Sequence, residues 1–275
     1  MTTISFPGLG IPEFTISRNA IEIGSFRVAW YGLIIVIGMM LAVSYIMWRS
    51  KKQGISPDSI LDYAIVTIIS GVIGARLYDI LTSRDKYDSF FDVFKIWEGG
   101  LGIYGGIIAG VIAVYVTSRV KKMNFFQMTD MIAPAVLMAQ SIGRWGNFVN
   151  GEAYGAETSL PWRMGLGDGA FYHPTFLYES LWTCAGFLLV HFLLFRRRRY
   201  NGQILFFCFA WYGFGRMFIE LLRTDSLYIC SYHAWFTKIS VLVGFLAFAV
   251  CTSLLIYYAI KGRRETLSDH KSNQI

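Results

Sequence analysis

The sequence predicts an all-α, polytopic integral membrane protein with about seven transmembrane helices, its N-terminus outside and its C-terminus in the cytoplasm. Three observations carry that prediction. Of 275 residues, 55% are hydrophobic and 17% aromatic. The apolar residues gather in stretches approaching the ~20 residues that a hydrocarbon core of about 30 Å requires. Positive charge sits in short runs between those stretches.

The expected spans are residues 28–48, opened by the interfacial pair Trp30-Tyr31, then 60–82, 102–118, 128–145 (interrupted by Pro134), 175–195, 203–222 and 239–260. Together they make one transmembrane domain, residues 1–275. It has an extracytoplasmic arm (1–27), a long extracytoplasmic connection (148–173) and a cytoplasmic tail (261–275). Residues 21–26 alternate in polarity, so the arm is expected on the membrane surface. It shows no basic start, apolar core and small-residue cleavage site, so no removable leader is expected.

Charge sets the orientation. The runs Arg49–Lys52 and Arg119–Lys122 carry three Lys or Arg each, and Arg196–Arg199 and the tail from Lys261 carry four each, fourteen in all. The other side holds eight, spread among Asp and Glu. The positive-inside rule then puts the C-terminus in the cytoplasm.

The formal charge of +7 follows this alternation, so it argues for topology and against a nucleic-acid partner. Cys184, Cys208, Cys230 and Cys251 show neither CxxC nor metal spacing and read as small apolar residues, with no disulfide framework and no metal. A Ser–His–Asp order, HExxH, and the Walker and Rossmann glycine patterns are all absent. What remains is chemistry by positioning and electrostatics, with no cofactor.

The richest stretch runs from Gln140 to Gly155, at the end of an apolar segment. It offers Arg144, the carboxamides of Asn147 and Asn150, the Glu152 carboxylate, and glycines that admit close backbone approach. An Arg at membrane depth costs roughly 2.5–3.5 kcal/mol on insertion scales, so it is normally paired or functional. Two readings stand side by side: a site for an anionic, hydroxyl-bearing ligand, or an Arg144–Glu152 pair closing a helix end.

Two more cations lie in apolar segments. Arg76 has Asp79 at i+3, which favours a structural pair. Arg216 has Glu220 at i+4, in a helix that also carries Tyr212 and is followed by Arg223. Arg144 and Arg216 are expected to converge with few carboxylates to neutralise them, and such a site wants a lipid phosphate. His173-Pro174 with Tyr178-Glu179 closes the set, although a lone His173 is more often a loop residue than a catalyst. Gly102, Gly106 and Gly110 repeat every four residues as a packing face. The Gly99–Gly106 stretch also reads as an unwound start beside a ligand.

With these residues in hand, the chain resembles the prolipoprotein diacylglyceryl transferase family over nearly its whole length. The resemblance rests on Trp30-Tyr31-Gly32, Gly74-Ala75-Arg76, Glu98-Gly99-Gly100, Gly105-Gly106, and Asp130 with Ala133-Pro134. It rests most on the run Gly143-Arg144-x-Gly146-Asn147-Phe148-x-Asn150-x-Glu152-x-x-Gly155. His173-Pro174 with Tyr178-Glu179, and Tyr212-Gly213 with Arg216, Glu220 and Arg223, complete the set.

The resemblance implies an enzyme of the bacterial inner membrane. It would transfer the diacylglyceryl group of phosphatidylglycerol to the lipobox Cys thiol of prolipoproteins, with its active site towards the extracytoplasmic leaflet and no cofactor. It also implies that Arg144 and Arg216 handle the phosphate. Tyr31, Asn147, Asn150, Glu152, Gly155, His173, Tyr212, Glu220 and Arg223 would bind substrate. Tyr104 is the third catalytic candidate: many members have His there, cast as the base. A phenol titrating near ~10 is a poor base unless ionised, so Tyr104 either ionises in the arginine field or only hydrogen-bonds, and the proton acceptor is open. Two other readings use the same arginines: a transporter of anionic lipids, and an enzyme acting on another lipid phosphate ester.

Overall fold

A computed structural model gives seven long helices among the described residues. It describes residues 1–275 except 25, 84–86, 88, 96–98, 227, 229–236 and 273–275, so Glu98, Cys230 and most of the segment after Asp225 lie outside the described residues. The helices are α1 (Trp30–Lys51), α2 (Pro57–Thr82), α3 (Ile103–Val120), α4 (Phe125–Asn150), α5 (Thr175–Leu189), α6 (Gln203–Leu222) and α7 (Ile239–Ser272). α5 runs on through a wider turn, Val190–Leu194, and a tighter one, Phe195–Arg197. Among the described residues, six stretches are long and apolar enough to cross a membrane: α1, α2, α3, Thr175–Arg197, α6 and Ile239–Lys261.

α4 is not among the six, though it contains the expected fourth span and passes through Pro134 without ending. Its own sequence gives the reason: Gln127, Asp130, Gln140, Arg144, Asn147 and Asn150 dilute the apolar run. Between Met128 and Leu137, all but Ile132 and Val136 are buried, so this helix meets protein where the others meet lipid. On α2, by contrast, Ile65, Ile69 and Ile73 recur every four residues and stand exposed, as do Ile108, Ile112 and Val116 on α3. Apolar stripes of that length face a bilayer.

The chain divides into two compact units, Met1–Ala42 with Ala133–Ile275, and Val43–Ile132. In the second, α2 packs on α3. A side chain on Gly105 would strike the Gly74 backbone and Tyr78, Gly106 faces Gly71, and Gly110 faces Thr67. The glycine face is thus a packing face. Tyr63 Oη donates to Ser118 Oγ at 2.9 Å, and Lys121 pairs with Asp62 at 2.6 Å.

Arg76 departs from the expected pairing with Asp79. Its guanidinium donates to the carbonyls of Asp92, Val93, Lys95, Gly99 and Gly100, while Asp79 accepts from Tyr87 Oη at 2.7 Å. A buried guanidinium has five donors, and a strand of loop carbonyls uses all of them where one carboxylate cannot. Gly99 and Gly100 sit at φ +94° and +73°, which turns their carbonyls to that Arg.

In the first unit, α6 packs on α7 through Gly213 and Gly244. α5 and α6 are joined by Trp182 and Trp211, whose rings stack at 4.2 Å and whose indole N–H groups donate to each other's carbonyls at 2.9 and 2.8 Å. The N-terminal arm carries more structure than its alternation suggested. It forms two hairpins, β1 (Thr2–Phe6) with β2 (Ile11–Ile16), and β3 (Asn19–Ile23) with β4 (Phe26–Ala29). The connection after α4 adds β5 (Met164–Gly165) and β6 (Phe171–Tyr172), giving a sheet of order β2-β1-β5-β6. Ile4, Met164 and Phe176 are buried together beneath it.

Candidate active site

The site begins with a reciprocal staple. Ser141 Oγ on α4 donates to the Ser180 carbonyl on α5 at 2.9 Å, and Ser180 Oγ donates to the Ser141 carbonyl at 2.8 Å. This fixes the register of the two helices. One turn along α4 stands Arg144, and one residue before Ser180 stands Glu179; they form an ion pair.

Glu179 is 4% exposed, and Arg144 is one of three arginines on it. Arg216 Nη1 donates to its Oε1 at 2.5 Å, and Arg223 Nη1 lies 3.5 Å from the same oxygen. A buried carboxylate requires this company, because removing its charge from water costs several kcal/mol unless partners replace the solvent. Arg216 is bracketed in turn: its Nη2 lies 2.5 Å from Glu220 Oε2, the i+4 partner read from the sequence. Arg223 grips Asp225 with two prongs, Nε to Oδ1 at 2.9 Å and Nη2 to Oδ2 at 2.7 Å.

Arg223 and Asp225 lie past the end of the α6 span. Burial alone would favour the neutral form of each. The two-pronged contact outweighs it, raising Arg223 and holding Asp225 below the usual carboxylate range.

The far side of Arg144 leads into the turn that follows α4. Arg144 Nη1 donates to Asn147 Oδ1 at 3.2 Å. Asn147 and Asn150 both donate to Glu152 Oε1, at 3.0 and 3.2 Å. The Arg144–Glu152 pair is therefore not formed; Asn147 stands between them and Glu179 takes the guanidinium. The expectation of few carboxylates is corrected as well, since Arg216 alone meets two.

Tyr31 on α1 lays its ring over Gly146, where a side chain would strike it at 2.6 Å, and its hydroxyl has Glu152 and Arg144 as charged neighbours. Tyr212 has Arg216, Glu179, Arg144 and Glu220 around it. Arg144, Arg216, Tyr31, Asn147, Asn150, Glu152, Tyr212, Glu220 and Arg223 are thus brought into one network.

Three expected residues add no side chain to it. Gly155 acts through its backbone: its N–H donates to the His173 carbonyl at 2.9 Å, it bridges to Arg223, and a side chain there would meet His173 and the Leu222 carbonyl at 2.8 Å. His173 turns to Tyr178, Nδ1 to Oη at 3.2 Å, and Tyr178 also accepts from Trp162 at 2.7 Å. Tyr104 opens α3 in the other unit, its ring 6.1 Å from that of Tyr78.

Glu179, quoted with Tyr178 but not assigned a site role, and Asp225, which no motif singled out, also belong to the network. Glu179 carried a usable signal: a carboxylate inside an apolar span must have a partner. Among the described residues, no group of three or more His, Cys, Asp or Glu is arranged to hold a metal. Among the described residues, Cys184, Cys208 and Cys251 form no disulfide.

Fold and site define a multi-pass membrane protein that holds an arginine–carboxylate network between its helices. Residues 18–257 match the family model described as Prolipoprotein diacylglyceryl transferase. A Listeria welshimeri protein is 39% identical over 255 residues, covering 88% of this chain and 90% of its own length. A Streptococcus pneumoniae protein is 44% identical over 219 residues, covering 76% and 83%. Both are named phosphatidylglycerol–prolipoprotein diacylglyceryl transferase. The chain belongs to the prolipoprotein diacylglyceryl transferase family and is a membrane-embedded transferase.

Proposed function

We propose that the arginine–glutamate network is where this chain transfers the diacylglyceryl group of phosphatidylglycerol to the lipobox cysteine thiol of a prolipoprotein, the first step of lipoprotein maturation. The observation that carries this reading is the convergence of Arg144, Arg216 and Arg223 on Glu179. Arginines held in place by a buried carboxylate are pre-organised donors for a phosphate, and they do not have to reorganise as charge develops on it.

In the proposed step the thiolate sulfur attacks the glycerol carbon that bears the phosphate. A C–S bond forms, the C–O bond breaks, and glycerol phosphate leaves with the electron pair. Arg144 and Arg216 are the phosphate-handling pair. Asn147, Asn150 and Glu152 offer hydrogen bonds to the headgroup, with Tyr31, Tyr212, Glu220, Arg223 and His173 shaping the pocket and Gly155 acting through packing. The cationic setting also favours the thiolate over the thiol, whose ordinary pKa is about 8.5.

The bacterial inner membrane is the location, with the N-terminus and the site on the extracytoplasmic side. The support is the alternation of fourteen Lys and Arg against eight. A reporter fused after Ile275 should then be active only in the cytoplasm; periplasmic activity would reverse the assignment.

The deciding experiment places the purified protein in vesicles of phosphatidylglycerol with a lipobox peptide. The expected product is a thioether-linked diacylglyceryl peptide, formed with equal loss of lipid and release of glycerol phosphate. Movement of lipid between leaflets with no covalent product would favour the transporter reading instead.

A further inference from the structure

Lys238 lies just before α7 and is 6% exposed, yet its ammonium touches no carboxylate within ion-pair distance among the described residues. Its Nζ instead donates to two backbone carbonyls, those of Glu220 and Arg223, both at 2.8 Å. These belong to the last turn of α6 and the residue that ends it; the Glu220 carbonyl also accepts from the Arg223 N–H at 3.2 Å, so Lys238 adds a second, charged donor at the helix end. A cation at that end also opposes the negative pole of the helix dipole. Lys238 thereby ties the end of α6 to the start of α7, where its own carbonyl accepts from Val241 and Leu242 at 3.1 and 3.2 Å.

The two residues so held are those whose side chains complete the network. Glu220 brackets Arg216, and Arg223 reaches Glu179 and Asp225. Ser240, two residues beyond Lys238, lies 3.5 Å from Arg216 Nη2. We infer that Lys238 is a positioning residue for the transfer reaction, clamping the α6 terminus so that Arg216, Arg223 and Glu179 keep the geometry that receives the phosphate. This rests on the proposed function and adds to it a residue outside the resemblance motifs.

The charged groups facing Lys238 are Glu220, Arg223 and Asp225, with the Tyr228 ring 6.0 Å away. Burial lowers its pKa below the ordinary lysine value, against the pull of Glu220 and Asp225. The ammonium is therefore intact below that lowered value and is lost as pH rises through it, so the clamp weakens on the alkaline side.

The test uses the full chain in detergent with phosphatidylglycerol and a lipobox peptide, and compares Lys238→Met with Lys238→Arg. Lys238→Met keeps the stem and deletes the cation; kcat should fall about ten- to a hundredfold, roughly the worth of one charge-assisted hydrogen bond, with the protein still inserted. Lys238→Arg should restore most of the rate. Because Arg does not titrate, the ratio of Lys238→Arg to parent activity should rise with pH on the alkaline limb.

Wild-type kcat in Lys238→Met with only a lowered melting temperature would overturn the inference, as would a flat ratio for Lys238→Arg. If Lys238→Met does not insert, the Lys238→Arg profile decides. Binding of phosphatidylglycerol by native mass spectrometry separates this from the reaction itself. A parent protein that binds the lipid but makes no product speaks against the transfer, while weaker binding in Lys238→Met, restored in Lys238→Arg, still supports the clamp.

Discussion

Arg216 Nη1 donates to Glu179 Oε1 at 2.5 Å, joining α6 to α5 through a carboxylate that Arg144 holds from α4. One side chain of Glu179 therefore sets the spacing of both guanidiniums. Replacing it by Ala leaves three arginines facing one another without their shared counter-charge. Breaking a buried pair in this way costs about 3–5 kcal/mol, so Glu179→Ala is expected to lower the melting temperature sharply and abolish transfer. Glu179→Gln keeps the shape and deletes the charge, and it should be the milder variant in stability and still poor in rate. Thermal unfolding and transfer assays on both check this; near-parental rates in Glu179→Gln would remove Glu179 from the site.

The two arginines differ from lysine in shape as well as in reach. Arg144 pairs with Glu179 and donates to Asn147, and Arg216 donates to Glu179 and pairs with Glu220. Lysine keeps the charge but loses the planar fork that serves two partners at once. Arg144→Lys and Arg216→Lys should each cost at least ~100-fold in rate, the scale of a missing pre-organised donor, with normal insertion. Near-normal rates in both would make these arginines structural.

Gly155 separates packing from binding. Its lack of a side chain lets the turn after α4 lie against His173 and the Leu222 carbonyl, both 2.8 Å from where a Cβ would stand. Gly155→Ala must push the backbone away from Arg223, its bridge partner. Overpacking of this kind costs typically about 1–3 kcal/mol. The expected outcome is a lower melting temperature together with a lower rate, and an unchanged melting temperature would assign Gly155 to the substrate instead.

Much of this was legible in the sequence because lipid imposes simple rules. Apolar length located the spans, and residues 203–222 coincide with α6. The cost of charge in lipid singled out Arg144 and Arg216. Partner choice was less legible, since i+3 and i+4 spacing reports only contacts within one helix. It found Arg216–Glu220 and misread Arg76, whose carbonyl partners lie 16 to 24 residues away. Glu179 faces arginines 35 and more positions distant, joined through the Ser141–Ser180 staple that no local pattern announces. The β1–β5 pairing was hidden for the same reason: Ser5 and Gly165 are partners across most of the chain, and two-residue strands leave no alternation to read.

Tyr104 is a phenol, and that chemistry limits what it can do. It opens α3 beside Gly105, which packs on Gly74, so its position is fixed by close helix contact. A neutral phenol accepts a proton far less readily than an imidazole, and an ordinary phenol ionises only near ~10, above a thiol at ~8.5. It can still donate one hydrogen bond. The thiolate is instead favoured by the cationic network, as other cationic settings favour it. Tyr104→Phe keeps the ring and its contact with Tyr78, deleting only the hydroxyl. The expected loss is about tenfold, the worth of roughly 1.4 kcal/mol for one missing hydrogen bond. Arg144→Ala should cost far more. The measurement is the rate of transfer to a lipobox peptide across pH, with insertion checked for each variant. If Tyr104→Phe is as inactive as Arg144→Ala, and alkaline pH restores it, Tyr104 is the base and the network alone does not make the thiolate.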